Sequence, residues 1–364
     1  MPEKLNVAIV GCGIGEEHLS HGFARAPDLF DVRAVCDLDP RRLADVAARH
    51  DVPETTTRFE DLLGREDIDV IDICTPPGLH HDQTAAALRA GKHVICEKPL
   101  VRSLSELDGI EAIAAHASRL VMPIFQYRFG TGVAQARHLI ESGLAGKPYL
   151  ATAETFWRRD MAYYANGWRG RWHTELGGVL TTQAIHIHDL LTHLMGPVDR
   201  LFGRIATRVN PIEVDDCATA SVQLASGALA TMSATLGSRD QLSRLRLMFE
   251  NVTIESSHDA YAPGRDPWTF VPRDVETGRA IDAALAAAPD TAQGFEGQFR
   301  GFHRSVTQGD PLPVTTGDAR RALEIATAFY HSAHSREDVS LPLGPGHPAY
   351  GGWTEFWAGT EDVA

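Results

Sequence analysis

The first 125 residues repeat one pattern: a short apolar run, a turn built on Gly, Pro or Asp, then a helix-forming stretch. Few folds accept that alternation. Leu5–Val10 (LNVAIV) is almost continuously apolar, as a central parallel strand covered on both faces must be. Gly11-Cys12-Gly13-Ile14-Gly15 follows, and a helix is predicted from Glu16 to Ala26. Val32–Cys36, Val70–Cys74, His93–Cys96 and Leu120–Phe125 read as further strands. The first three of these end at Asp37, at Thr75-Pro76-Pro77-Gly78 and at Glu97-Lys98-Pro99. Helices are expected after Pro40, around Ala85–Leu88 and over Ser103–Ala117. Strands joined through helices need right-handed crossovers, which predicts a doubly wound parallel sheet of Rossmann type over residues 1–125.

The pattern changes after Phe125. Ala151–Trp157, Ala218–Ala225, Ala228–Thr235 and Leu245–Ile254 read as strands joined by Gly, Asp or Ser turns. Strands gathered this way predict an α+β domain with a largely antiparallel, open-faced sheet over residues 126–343. Val133–Ser142, Gly178–Met195 and Ala319–His334 read as helices, and Ser256–Pro289 as a long loop with one short alanine-rich helix. Residues 344–364 are expected to be an irregular tail. The fold class is therefore α/β with an α+β second domain.

Charge narrows the partners. With 34 Lys and Arg against 48 Asp and Glu, the formal net charge is −14, so neither nucleic acid nor an anionic membrane surface is expected as a partner. The chain shows no apolar stretch of transmembrane length and no leader-like segment. Its five cysteines (Cys12, Cys36, Cys74, Cys96 and Cys217) have no CxxC spacing. Reduced thiols and a cytoplasmic protein are the expectation.

Three motifs carry chemistry. The glycine turn between strand and helix offers backbone N–H groups at Gly11, Gly13, Ile14 and Gly15 to a pyrophosphate, although Glu16 stands where a third glycine is usual. Asp37 ends the second strand 26 residues after Gly11, where a carboxylate accepts hydrogen bonds from both ribose hydroxyls and repels a 2′-phosphate. NAD is the expected cofactor; Arg41 and Arg42 leave room for NADP. Glu97-Lys98-Pro99 lies at the carboxyl end of a strand, where open α/β sheets place ligands. On the predicted helix over Gly178–Met195, Thr182, His186, Asp189 and His193 share one face. A histidine satisfied within the core reads equally well there. Two histidines and a carboxylate could also ligate a metal, but no further ligand cluster accompanies them and none is expected.

Together GCGIGEEH, Thr75-Pro76 followed by His80, AGKHVICEKPL and GGVLTTQAIHIHDLL resemble the glucose–fructose oxidoreductase/inositol dehydrogenase (Gfo/Idh/MocA) family. Gln126-Tyr127-Arg128-Phe129 and Trp168-Arg169-Gly170 extend the resemblance over nearly the whole chain. It implies a first domain binding NAD or NADP and a second binding substrate and building dimers or tetramers. The expected substrate is a sugar, glycoside or cyclitol oxidised at a ring alcohol. The resemblance carries the catalytic roles to Lys98 and His186. It adds Thr75, Pro76, His80, Glu97 and Lys98 to the cofactor site, and Thr182, Arg128, Trp168, Tyr164 and Asp189 to the substrate site. Two positions depart from it. Thr182 stands where Asp or Asn is common, so it cannot act as a carboxylate base, and Pro77 replaces the usual Asn.

Oxidising a secondary alcohol needs a base. A histidine with an ordinary pKa of about 6.5 suits that role, and an ammonium suits stabilising the alkoxide. His186 is therefore the expected base and Lys98 the electrostatic partner; the reverse assignment requires burial to lower the lysine's pKa. Phe156, Trp157, Tyr163, Tyr164, Trp168 and Trp172, interleaved with arginines, offer faces for a sugar ring, although most are expected to fill core. A glycosidase using transient oxidation and a non-catalytic dinucleotide-binding regulator are the alternatives. Lys98 argues against the second.

Overall fold

Apolar runs buried on both faces define the first unit. In the computed structural model, which describes residues 3–288 and 291–354, one compact unit comprises Met1–Phe125 and Phe295–Ala319. Its sheet consists of β1 (Leu5–Val10), β2 (Phe30–Cys36), β3 (Glu54–Thr56), β4 (Val70–Ile73), β5 (His93–Cys96) and β6 (Val121–Pro123). The order is β3-β2-β1-β4-β5-β6, with every pairing parallel. The carboxyl ends of β1 and β4 thus meet at the reversal of strand order, where a doubly wound sheet opens a crevice. Local signals set the helix starts: Asp39 accepts hydrogen bonds from the Arg41 and Arg42 amides ahead of Pro40–Arg49, and Ser103 accepts one from Glu106 ahead of Leu104–Ala117. β3 is short, polar and at the sheet edge, so hydrophobic patterning does not announce it.

A helix from much later in the chain completes this unit. Gly294–Gln308, to which the sequence reading assigned no element, buries Phe299 and Phe302 completely. Phe299 stacks on Phe23 at 4.4 Å, and Gly22 makes room for it, since a Cβ there would stand 2.3 Å from the Phe299 ring. Gln298 accepts from the Phe125 amide and donates to the Pro123 carbonyl at 2.7 Å.

The second unit comprises Gln126–Gly294 and Arg320–Ala364. Its sheet contains β7 (Pro148–Arg158), β8 (Val198–Ala206), β9 (Cys217–Leu224), β10 (Leu229–Thr235), β11 (Gly237–Phe249), β12 (Val252–Glu255), β13 (Thr269–Pro272) and β14 (Val339–Ser340). The order is β13-β12-β11-β7-β10-β9-β8-β14; β7 and β10 pair parallel and all other neighbours antiparallel. Leu245–Ile254, expected as one strand, is two, because the chain reverses at Glu250 and Asn251, whose amides donate to Lys147 and Ala145. β8, β13 and the 13-residue helix Val275–Ala287 also differ from the sequence reading. Ile187, Leu190 and Leu191, on the helix Ile185–Met195, are fully buried in the core of this unit. In the expected tail, Trp353 is buried, donates from Nε1 to the Leu176 carbonyl at 2.9 Å and stacks on Tyr330. Residues 355–364 of that tail lie outside the described residues.

Candidate active site

The three glycines of the turn after β1, Gly11, Gly13 and Gly15, have three different reasons to be glycine. Gly11 has φ +97°, and a Cβ there would stand 2.5 Å from the Cys74 carbonyl oxygen. Gly15 opens the following helix, and its Cβ would meet Ile9 at 2.7 Å. Gly15 thus serves as the close-packing glycine one position before the usual place. Gly13 has nothing within 4 Å of a Cβ position, so its backbone faces open space, as contact with a pyrophosphate requires. Ile14 beside it is 42% exposed. The residues present fit a dinucleotide.

Asp37 is nearly buried and ties this turn down. One carboxylate oxygen accepts from the Cys12 amide and the other from the Asp39 amide, each at 2.8 Å. A carboxylate has about four acceptor sites, so capacity remains for ribose hydroxyls. Arg42 approaches the same carboxylate at 3.4 Å.

The Thr75 turn and the Glu97-Lys98-Pro99 segment are joined by His80. Its Nε2 lies 2.7 Å from the Thr75 carbonyl oxygen and its Nδ1 2.7 Å from that of Pro99. Buried between the two carbonyls, His80 lies against both loops; burial pushes its pKa down, and the neutral ring donates to one of the two. Thr75 donates from its hydroxyl to Gln83 at 2.6 Å, and Pro76 precedes the turn Pro77–Leu79. Glu97 is buried, with one oxygen 3.0 Å from His18 Nε2 while the other accepts the Lys98 backbone N–H at 3.0 Å. The placement of Lys98 thus depends on a carboxylate that is itself held.

In the second unit the predicted helix is interrupted. Leu180–Ala184 forms a π-helical turn before Ile185–Met195, a geometry that often marks functional sites. Asp215 organises its start. Its carboxylate accepts from the Gly178 and Leu180 amides and from the Tyr330 hydroxyl, and burial raises its pKa. Gly178 is obligatory because a Cβ would stand 1.7 Å from the Asp215 carbonyl oxygen.

His186 is buried, with its ring 4.7 Å from that of Tyr127. The Thr182 hydroxyl lies 2.6 Å from the Gly178 carbonyl and also contacts Gln183. Asp189 does not join a metal set: its two oxygens receive Nε and Nη2 of Arg128 at 2.7 and 2.5 Å, in an almost fully buried bidentate pair. Arg128 and Asp189 thus bind each other. Tyr164 packs edge-on against Tyr163, and Trp168 lies beneath the Arg169 guanidinium at 4.1 Å. Trp157 is core, donating to Ser243 at 3.0 Å.

The sequence reading missed an arginine–aromatic cluster. Tyr163 has Arg159 over its ring at 4.9 Å and Arg169 at 4.0 Å, and Gln183 donates to its hydroxyl. Tyr261, from the stretch expected to be loop, also contacts Arg159. Glu175, whose pKa burial raises, accepts from Arg169 and the Gly170 amide. The density of aromatics and arginines was visible; which of them meet was not.

Comparison with known proteins agrees with this geometry. Residues 5–125 match the oxidoreductase family with an NAD-binding Rossmann fold, and residues 133–255 match the GFO/IDH/MocA C-terminal domain. The chain belongs to this family of NAD-binding oxidoreductases. Among its relatives, levoglucosan dehydrogenase of Pseudarthrobacter phenanthrenivorans is 28% identical over 265 residues, covering 64% of this chain and 68% of that protein. The scyllo-inositol 2-dehydrogenase (NADP(+)) IolW of Bacillus subtilis is 24% identical, over 93% of this chain and 96% of that one. The WlbA dehydrogenase of Bordetella pertussis, solved with NADH and UDP-GlcNAcA, superposes with a TM-score of 0.82 at 25% identity, covering 94% of this chain and all of that one. These three relatives are dehydrogenases named for, or solved with, a sugar derivative or a cyclitol, and NADH and NADP(+) both occur among their names and structures.

Proposed function

We propose that this protein interconverts a secondary ring alcohol and ketone on a sugar, glycoside or cyclitol, with Lys98 and His186 handling the hydroxyl proton. What supports this reading is that one member of this family carries both a lysine whose backbone is seated on a buried carboxylate and a buried histidine next to a π-helical turn. NAD(P), when bound, accepts or returns the hydride. His186 takes the hydroxyl proton in oxidation and gives it back in reduction. Lys98, as an ammonium, stabilises the oxygen as negative charge develops on it. Thr182, with no ionisable group, serves only as a hydrogen-bonding contact to a substrate hydroxyl. Trp168, Tyr164 and the arginine–aromatic cluster offer ring faces flanked by guanidinium groups, which suits a polyhydroxylated ring.

Asp37 favours NAD. The alternating burial of β9 leaves Thr219, Ser221 and Gln223 on an exposed sheet face, which supports assembly into a homodimer or homotetramer through that face. All five cysteines are free thiols, which fits a cytoplasmic protein, and among the described residues no helix is long and apolar enough to cross a membrane.

The test is purified protein with NAD or NADP and a panel of sugars, cyclitols and glycosides, following reduced nicotinamide. Lys98→Ala and His186→Ala are each expected to lower kcat by at least about 10³-fold. Binding of NADH, read by fluorescence, should persist in both. Near wild-type rates in both variants would overturn the assignment. Release of an aglycone without accumulation of reduced cofactor would indicate the glycosidase instead.

A further inference from the structure

The first unit holds a buried charged cluster in which His18 and Asp72 have been given no role above. His18 is fully buried. Its Nδ1 lies 2.9 Å from Asp72 and its Nε2 3.0 Å from Glu97, two carboxylates at the ends of β4 and β5. Cys74 Sγ approaches Nδ1 at 3.3 Å. On its remaining sides His18 meets Phe295 at 4.5 Å and Phe299 at 5.4 Å, both from the helix Gly294–Gln308 and neither ionisable.

The side chains of His18, Asp72 and Cys74 are of metal-ligating types, but the geometry is that of a proton. A metal held about 2.0–2.2 Å from each ligand in a tetrahedral site would force nitrogen and oxygen well beyond 2.9 Å. Two buried carboxylates on opposite edges of one imidazole each require a donor, and only the doubly protonated ring supplies two.

We propose that His18 is a positioning residue for the reaction: donating from both ring nitrogens to Asp72 and Glu97, it clamps the Glu97 carboxylate on which the Lys98 backbone is seated. The chain of contacts is continuous. Asp72 orients the ring, the ring fixes one oxygen of Glu97, and the other oxygen accepts the Lys98 N–H. The cluster carries one net negative charge, two carboxylates against one imidazolium, next to the lysine's backbone. That charge favours the ammonium form that the proposed role of Lys98 needs. Burial alone would discharge His18, but the Asp72 carboxylate beside Nδ1 outweighs it and holds its pKa well above the usual value. The inference rests on the role proposed for Lys98.

The experiment has two parts, with the Lys98→Ala assay run alongside. In the wild-type protein, ¹⁵N spectra of the histidine side chains, compared with those of His18→Asn, should show one ring that keeps both protons well above the pH at which an ordinary imidazole loses one. A neutral tautomer for that ring overturns the proposal. In kinetics, His18→Asn is expected to lower kcat about 10–100-fold while KM for the substrate changes by less than about 3-fold. Because His18 acts through Glu97, His18→Asn/Glu97→Gln should be no slower than the worse single variant, within about 3-fold. Multiplying effects would mean that the histidine merely fills space, and would overturn the proposal. Should His18→Asn fail to fold, Asp72→Asn keeps the packing and weakens only the far side of the clamp. It is expected to lower kcat about 3–10-fold, and an unchanged kcat there counts against the clamp. If Lys98→Ala retains full activity, the proposed function fails instead, whatever the histidine spectra show.

Discussion

His18 in the first unit and His188 in the second are both buried, yet their surroundings push them in opposite directions. His18 lies between Asp72 and Glu97 and is held as the cation. His188 stacks on Phe329 at 5.8 Å, its Nε2 has no hydrogen-bond partner among the described residues, and burial alone takes its pKa down to about 3. The strand ends of a parallel sheet collect polar groups because a crevice opens there. The inner face of a helix packed on a sheet offers apolar neighbours. Burial therefore sets no charge state by itself; the partners that topology supplies do.

The largest test of that contrast lies in the second unit, where a buried charge does have a partner. Replacing Asp189 by Ala removes the bidentate carboxylate from the buried Arg128, and a loss of about 3–5 kcal/mol is expected in urea denaturation. A loss below about 1 kcal/mol would show that water reaches the pair and that the burial argument fails.

A second test asks whether a buried carboxylate of the first unit combines two duties. Asp37→Ala should weaken NAD binding about 10–100-fold and relax discrimination against NADP, since the carboxylate that would repel a 2′-phosphate is then gone while Arg42 remains. Titration with both cofactors reads this out; an unchanged preference would confine Asp37 to holding the Cys12 and Asp39 amides.

The smallest effect separates the two histidines by sign. His188 has a lowered folded pKa, so its contribution to stability is present above about pH 6.5 and is lost as pH falls from there towards about 3. The slope is at most about 1.4 kcal/mol per pH unit. His18 has a raised folded pKa, so its contribution is present below about pH 6.5 and is lost as pH rises through its folded value. Unfolding free energies at pH 5 and pH 7 should show a flatter acid dependence in His188→Phe than in wild type. An identical dependence would mean that another group titrates in that range.

Much of the first unit was legible because its central strands are buried on both faces and announce themselves as apolar runs. Gly11, Asp37 and Lys98 were legible because each stands at the end of such a run, where topology restricts what a residue can do. β3 was not, being short, polar and at an edge, and neither was the helix Gly294–Gln308, whose apolar positions acquire meaning only against Phe23 and the sheet. His18 sits in plain view within GCGIGEEH, and Asp72 is a carboxylate inside the apolar run VIDIC. A charged residue in a buried strand was the available signal; its partner, 54 positions away in the chain, could not be read from it.

What the sequence determined by itself is the class of the molecule: a dinucleotide-binding sheet, then an α+β domain, with a lysine and a histidine at positions where chemistry is expected. Those features are local, set by periodicity and by turns a few residues long. Only the tertiary structure decided which polar groups bind one another: Arg128 to Asp189, His80 to two carbonyls, His18 to two carboxylates, Tyr163 between two guanidinium groups. Such pairings depend on distances between segments remote in the chain, and a buried polar group takes its charge from the neighbours those distances bring.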